Sequence, residues 1–144
     1  MKVMGRSVHR WDSTVVRAAL WAAVAARLVR YRLRRYGLQA RVPRPPRLGP
    51  RGTRGVMGAL RRLDPTCLER ALVQQAWLAS LGSLRDVVIG ISPGGMADAP
   101  AHAWVDGTDA ASAGQYLELH RLPPPTWSAE LHGAIPHRGQ RRRP

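Results

Sequence analysis

The chain of 144 residues is long enough for one domain with a modest hydrophobic core and little more. Its 23 Lys and Arg against 9 Asp and Glu give a formal net charge of +14, a balance that suits nucleic acid, an anionic lipid surface or an acidic peptide without choosing among them. A single cysteine excludes an internal disulfide framework and a multi-cysteine zinc site, and is ordinary for a reducing cytoplasm.

In chain order, residues 1–10 read as a loose arm. "WDSTVVRAALWAAVAARLVRYRLRRYG" (11–37) reads as one helix: Asp12, Ser13 or Thr14 caps its start, arginines crowd its end, and Gly37 follows. The expected domain division assigns residues 1–40 to an N-terminal basic helix with this arm ahead of it. The expected packing puts its Ala, Leu and Val side on the domain and its basic face in solvent. The most apolar run, "AALWAAVAARLV" (18–29), is interrupted by Arg27 and shorter than the ~20 residues a bilayer requires. It continues into "RYRLRRY" rather than a cleavage site, so no membrane span or signal peptide is expected and the protein reads as cytoplasmic. Residues 41–55, "RVPRPPRLGPRGTRG", read as a Pro/Gly/Arg linker without a packing pattern. "VMGALRRL" (56–63) is a short helix leading into a core over 56–122, and 123–144 is expected to be a flexible basic tail.

The pattern sharpens at "DPTCLERAL". "TCLE" fits a capping box, in which the Thr66 hydroxyl takes the Glu69 amide and the Glu69 carboxylate reaches back to Thr66. Cys67 then occupies the first helical position. Leu68, Ala71, Leu72, Ala76 and Ala79 recur at three-four spacing, and Gly82 stops the helix. "LRDVVIGI" (84–91) reads as a buried strand, "AHAWV" (101–105) as a second and "QYLELHRL" (115–122) as a third.

Element lengths bring two of these residues together. A helix from Cys67 to Leu81 runs roughly 21 Å, and a strand from Leu84 to Ile91 roughly 23 Å. If they lie antiparallel the chain returns to the level of Cys67, and the next strand starts there with His102 as its second residue. A helix start favours the thiolate, as does a neighbouring imidazole. The thiolate attacks a carbonyl, the histidine returns the proton to the leaving amine, and helix-start amides bind the oxyanion.

"CLERALVQQAWLASLGSLRDVVIGI" followed by "AHAWV" resembles the core of the transglutaminase-like cysteine protease superfamily, and is most similar to the leader peptidases of lasso-peptide biosynthesis. The resemblance rests on a Cys-Leu-x-Arg-Ala-Leu helix, a Gly ahead of a "VVIGI"-type strand and a His-Ala-Trp-Val strand. It implies an α+β, papain/transglutaminase-like fold, with a nucleophile helix packed on a small antiparallel sheet and a preceding N-terminal helix. It implies Cys67 as nucleophile and His102 as base, with no cofactor and no metal. It also implies partners: the leader segment of a ribosomally made precursor peptide, a separate small leader-binding protein, and an ATP-dependent lasso cyclase.

The chain departs from the family where an orienting acid belongs, a dozen or so residues after the histidine. Position 114 is Gly, and the acids at hand are Asp106, Asp109 and Glu118. On a straight strand Asp106 lies roughly 13 Å along from His102. Glu118 comes level only in a suitable register. Asp109 is the choice, with Asp106, Glu118 or no third member as alternatives. Trp104 reads as core or cleft wall, and Gln74 and Gln75 as solvated or facing the cleft. His9, His120, His132 and His137 show no metal-ligand spacing. "SPGGM" (92–96) is a glycine loop unlike a phosphate motif. The competing class is a basic nucleic-acid- or anionic-surface-binding protein with a structural cysteine. Binders of that kind interleave aromatics with basic residues, whereas the arginines here sit in a helix end, a linker and a tail. A catalytically degenerate relative is the other alternative.

Overall fold

The computed structural model describes residues 12–95 and 100–131. In chain order the main elements are α1 (Ser13–Tyr36), α2 (Thr53–Leu63), α3 (Cys67–Ser80), β1 (Val87–Ile91), β2 (Ala101–Val105), α4 (Ala110–Gln115), β3 (Leu117–Leu122) and α5 (Trp127–Leu131). Residues 1–11, which include the expected arm, and 96–99, from the Met of "SPGGM" onward, lie outside the described residues, as do His9, His132 and His137.

Helix α1 starts where Asp12 accepts the Thr14 amide at 3.0 Å. It ends at Gly37, whose φ of 57° closes the helix through its N–H to the Leu33 carbonyl. Ala18, Ala22, Ala25, Ala26 and Val29 form its buried stripe, and these small side chains let α2 lie close. Gly55 is the point of closest approach, since a Cβ there would run into the Val15 carbonyl oxygen.

The sheet has the order β2-β1-β3, with both pairs antiparallel. Gly90 faces His102 on one side and Glu118 on the other, and the β1–β3 register slips between Ile89 and Gly90. Helix α3 lies across β2. Gln75 ties it to the sheet: its side-chain amide donates to the carbonyls of Arg85 at 2.8 Å and Leu122 at 3.0 Å. One core joins all three long helices to the sheet, with Trp77, Val73, Val56, Val29, Val87 and Val105 buried in it. The arrangement is α+β, with the Cys67-bearing helix on a small antiparallel sheet and a helix in front of it.

Four expectations are corrected. The segment 41–55 is not a linker without packing: Val42 and Pro45 are buried, Gly52 lies under the Trp77 ring, and α2 already begins at Thr53. Proline-rich chain is pre-ordered and buries single residues without any periodicity to betray them. The first part of the expected tail is structured, with α5 set against α3. Ser128 is buried and donates to the Pro125 carbonyl, and the Arg44 guanidinium sits 5.6 Å from the Trp127 ring centre. Residues 132–144 lie outside the described residues. Strand β1 starts at Val87 rather than Leu84: residues 83–86 are irregular, and the Arg85 side chain there donates to the Ser83 hydroxyl and the Asp106 carbonyl instead of joining a ladder. Strand β3 starts at Leu117 because residues 110–115 coil into α4, and its Leu117 and Leu119 are both 58% exposed, as an edge strand allows. Among the described residues no helix is long and apolar enough to cross a membrane.

Candidate active site

Thr66 caps α3 with its hydroxyl on the Glu69 amide at 3.3 Å, and the Glu69 carboxylate takes the Thr66 amide at 3.0 Å. This capping box sets Cys67 at the first position of the helix, half-buried, with its thiol free of any disulfide. Glu69 is itself buried, and a second element holds it: Arg30 of α1 donates to its two oxygens at 3.0 and 3.1 Å. Burial pushes the Glu69 carboxyl up, but the Arg30 and Thr66 hydrogen bonds outweigh it and hold the group below the usual carboxylate range. The start of α3 is thus fixed by its own cap and by a charge-assisted fork from α1.

His102 is the second residue of β2, directly across from Gly90. Its ring lies 6.0 Å from that of Trp104 and 5.2 Å from that of Tyr116, centre to centre. Gly90 makes this possible, because the Trp104 ring and Tyr116 occupy the space above its Cα. Beyond Val105 the chain turns back: the Thr108 amide and hydroxyl both donate to the Val105 carbonyl, and Gly107 adopts a φ of 73°. That reversal returns Asp109 to the level of the histidine. Its Oδ2 lies 3.9 Å from His102 Nε2, which leaves Nδ1 as the ring nitrogen not facing the carboxylate.

Asp109 is also the N-cap of α4. Oδ1 accepts the Ser112 amide at 3.0 Å, and Oδ2 accepts the Ser112 hydroxyl at 2.5 Å. These two bonds keep its carboxyl below the usual range, with the His102 charge a lesser contribution. Asp106 and Glu118 are elsewhere: both bind Arg121, at 2.7 and 2.6 Å, on the exposed end of the sheet. His120 is exposed on β3 opposite Ile89.

A cleft of about 450 Å³ opens between the start of α3 and β2, and Cys67, His102 and Asp109 all line it. Arg70, Ala71 and Gln74 continue the helix wall, and Trp104 and Thr108 the opposite one. Gln74 therefore faces the cleft and Gln75 the sheet. Trp104 serves both expected roles, being buried and lining the cleft. Among the described residues no group of three His, Cys, Asp or Glu side chains gathers to hold a metal ion.

Three contributors escaped the sequence reading, Arg30, Ser112 and Tyr116, while Arg70 entered only as the arginine of the Cys-Leu-x-Arg-Ala-Leu helix. Of these Ser112 left a signal, since Asp-x-x-Ser after a strand is an N-cap spacing. Arg30 and Tyr116 reach the site through tertiary contacts and left none.

No curated protein and no solved structure gives a significant match to the chain. A family model does: the transglutaminase-like superfamily matches residues 8–122, from before α1 to the end of β3. That superfamily includes cysteine peptidases, and its papain-like core agrees with the helix-on-sheet arrangement around the cleft. The chain belongs to the transglutaminase-like superfamily.

Proposed function

We propose that the protein is a cysteine peptidase that removes the leader segment from a ribosomally synthesised lasso-peptide precursor. The observation that carries the reading is the cleft itself, a helix-start cysteine facing a strand histidine whose Nε2 looks onto an ionised carboxylate. Cys67 passes its proton to His102, and the thiolate attacks the scissile carbonyl. Amides at the start of α3 receive the oxyanion. The tetrahedral adduct collapses with the His102 proton going to the leaving amine, which leaves a thioester on Cys67. Water, deprotonated by His102, then attacks the thioester, releases the carboxylate product and restores the thiol. Asp109 holds the imidazole in orientation and steadies its charged form.

The lasso-peptide assignment follows from the resemblance of the Cys67 helix and the "HAWV" strand to that biosynthetic family. In this reading a separate small protein binds the leader and presents it, and an ATP-dependent cyclase acts on the released core peptide. The surplus of basic residues steers an acidic leader or partner to the enzyme. Mass spectrometry of a precursor incubated with the protein and its leader-binding partner tests the proposal. A single cut is expected, abolished by both Cys67→Ala and His102→Ala. A cut that survives Cys67→Ala, or no cut despite demonstrated binding, refutes it.

A further inference from the structure

Arg70 follows Cys67 by three residues on α3, so the two share the helix face that walls the cleft, together with Ala71 and Gln74. Among the described residues it is the one Lys or Arg lining that cleft. Two other arginines show what a committed guanidinium looks like in this fold. Arg30 grips Glu69 through two bonds at 3.0 and 3.1 Å, and Arg121 grips Glu118 and Asp106 at 2.6 and 2.7 Å. Among the described residues Arg70 has one loose ion pair, 3.6 Å to Asp64, whose side chain is 94% exposed. Its fork of donors is thus open to a better acceptor in the cleft. The cleft's acidic side chain, Asp109, is occupied by Ser112 and turned to His102 on the opposite wall.

We propose that Arg70 is the anchor for a carboxylate on the molecule that enters the cleft. The substrate side of this statement rests on the peptidase reading, where the carboxylate belongs either to an acidic side chain beside the scissile bond or to a free peptide C-terminus. A bidentate guanidinium–carboxylate contact fixes the substrate in register against Cys67, so Arg70 acts as a specificity residue. Asp64 keeps the guanidinium extended in the absence of the ligand and yields when the ligand arrives.

The test uses the full chain and two reagents of nearly equal size, iodoacetate and iodoacetamide. The rate of Cys67 alkylation by each is divided by its rate with free cysteine. The iodoacetate-to-iodoacetamide ratio is expected to be about fivefold higher in the wild type than in Arg70→Gln, and to shrink toward the Arg70→Gln value in high salt. Asp64→Asn, which keeps a residue tolerant of the φ of 43° found there, should hold or raise the ratio. A ratio unchanged by Arg70→Gln overturns the proposal.

A second measurement does not depend on the thiol. The Arg70 Nε–H resonance is followed by NMR during titration with N-acetylglutamate α-amide, N-acetylalanine and N-acetylglutamine α-amide. A saturating shift with the first identifies a side-chain carboxylate, and one with the second a C-terminal carboxylate. Equal response to the neutral third compound, or no response to any, overturns the proposal. If Cys67 resists both alkylating reagents, the peptidase reading falls and this titration alone decides the role of Arg70.

Discussion

Asp109 meets Ser112 with both carboxylate oxygens, one on the amide and one on the hydroxyl, before it reaches His102 at 3.9 Å. Ser112 therefore aims the carboxylate and keeps it ionised. Asp109→Asn removes the charge at constant size and is expected to lower kcat/KM for peptide cleavage about 10²-fold. Ser112→Ala is expected to cost less, about tenfold, with a distinctive pH signature. Asp109 is held below the usual carboxylate range chiefly by Ser112, so losing that hydroxyl moves its titration up. The acid limb of the pH–rate profile then shifts to higher pH, and the neutral plateau remains flat at the reduced rate. Gly90 makes a separate demand. A Cβ there would meet the Leu117 carbonyl at 2.9 Å and the Trp104 ring at 3.0 Å, and a backbone carbonyl in a sheet gives little. Gly90→Ala should cost about 1–3 kcal/mol, read as a lower Tm, and should disturb the ring packing beside His102.

At the scale of elements, α3 is held at the end that carries Cys67. Thr66→Ala removes the cap and is expected to cost about 1 kcal/mol in urea unfolding. The Glu69–Arg30 fork gives this end a pH dependence. Glu69 titrates below its ordinary value in the fold, so its stabilisation is present above the unfolded carboxylate range and is lost as pH falls through the folded value. Glu69→Gln should therefore lower Tm at neutral pH and flatten its decline on acidification. A Tm curve parallel to the wild type down through the carboxylate range would show that the fork is not what acid breaks.

The whole molecule has one core, and α1 supplies a full stripe of it. The expected packing of its Ala and Val side on the domain is found, with Ala18, Ala22, Ala25 and Val29 fully buried, but the segment read as an unpacked linker adds Val42 and Pro45 to the interior. A 41–122 fragment is expected to lose cooperative unfolding in urea and to expose its apolar face, while the full chain unfolds in a single transition. The family match, which begins at residue 8, treats the same span as one unit.

Local chemistry determined much of this protein by itself. The Thr66–Glu69 box, the stop at Gly82 and the β-branched run at 87–89 are written in residues adjacent along the chain, so α3, β1 and β2 were legible, and element lengths alone put Cys67 and His102 at one level, where both line the cleft. The third member was narrowed to Asp109, Asp106 or Glu118, because no local rule says how a loop folds back. Only the turn through Gly107 and the capping of α4 brought Asp109 to the histidine, while Arg121 drew the other two acids away. The contacts of Arg30 with Glu69 and of Gln75 with the sheet join residues 39 and 47 apart. Such contacts depend on the packing of whole elements, and no neighbouring residue in the chain announces them.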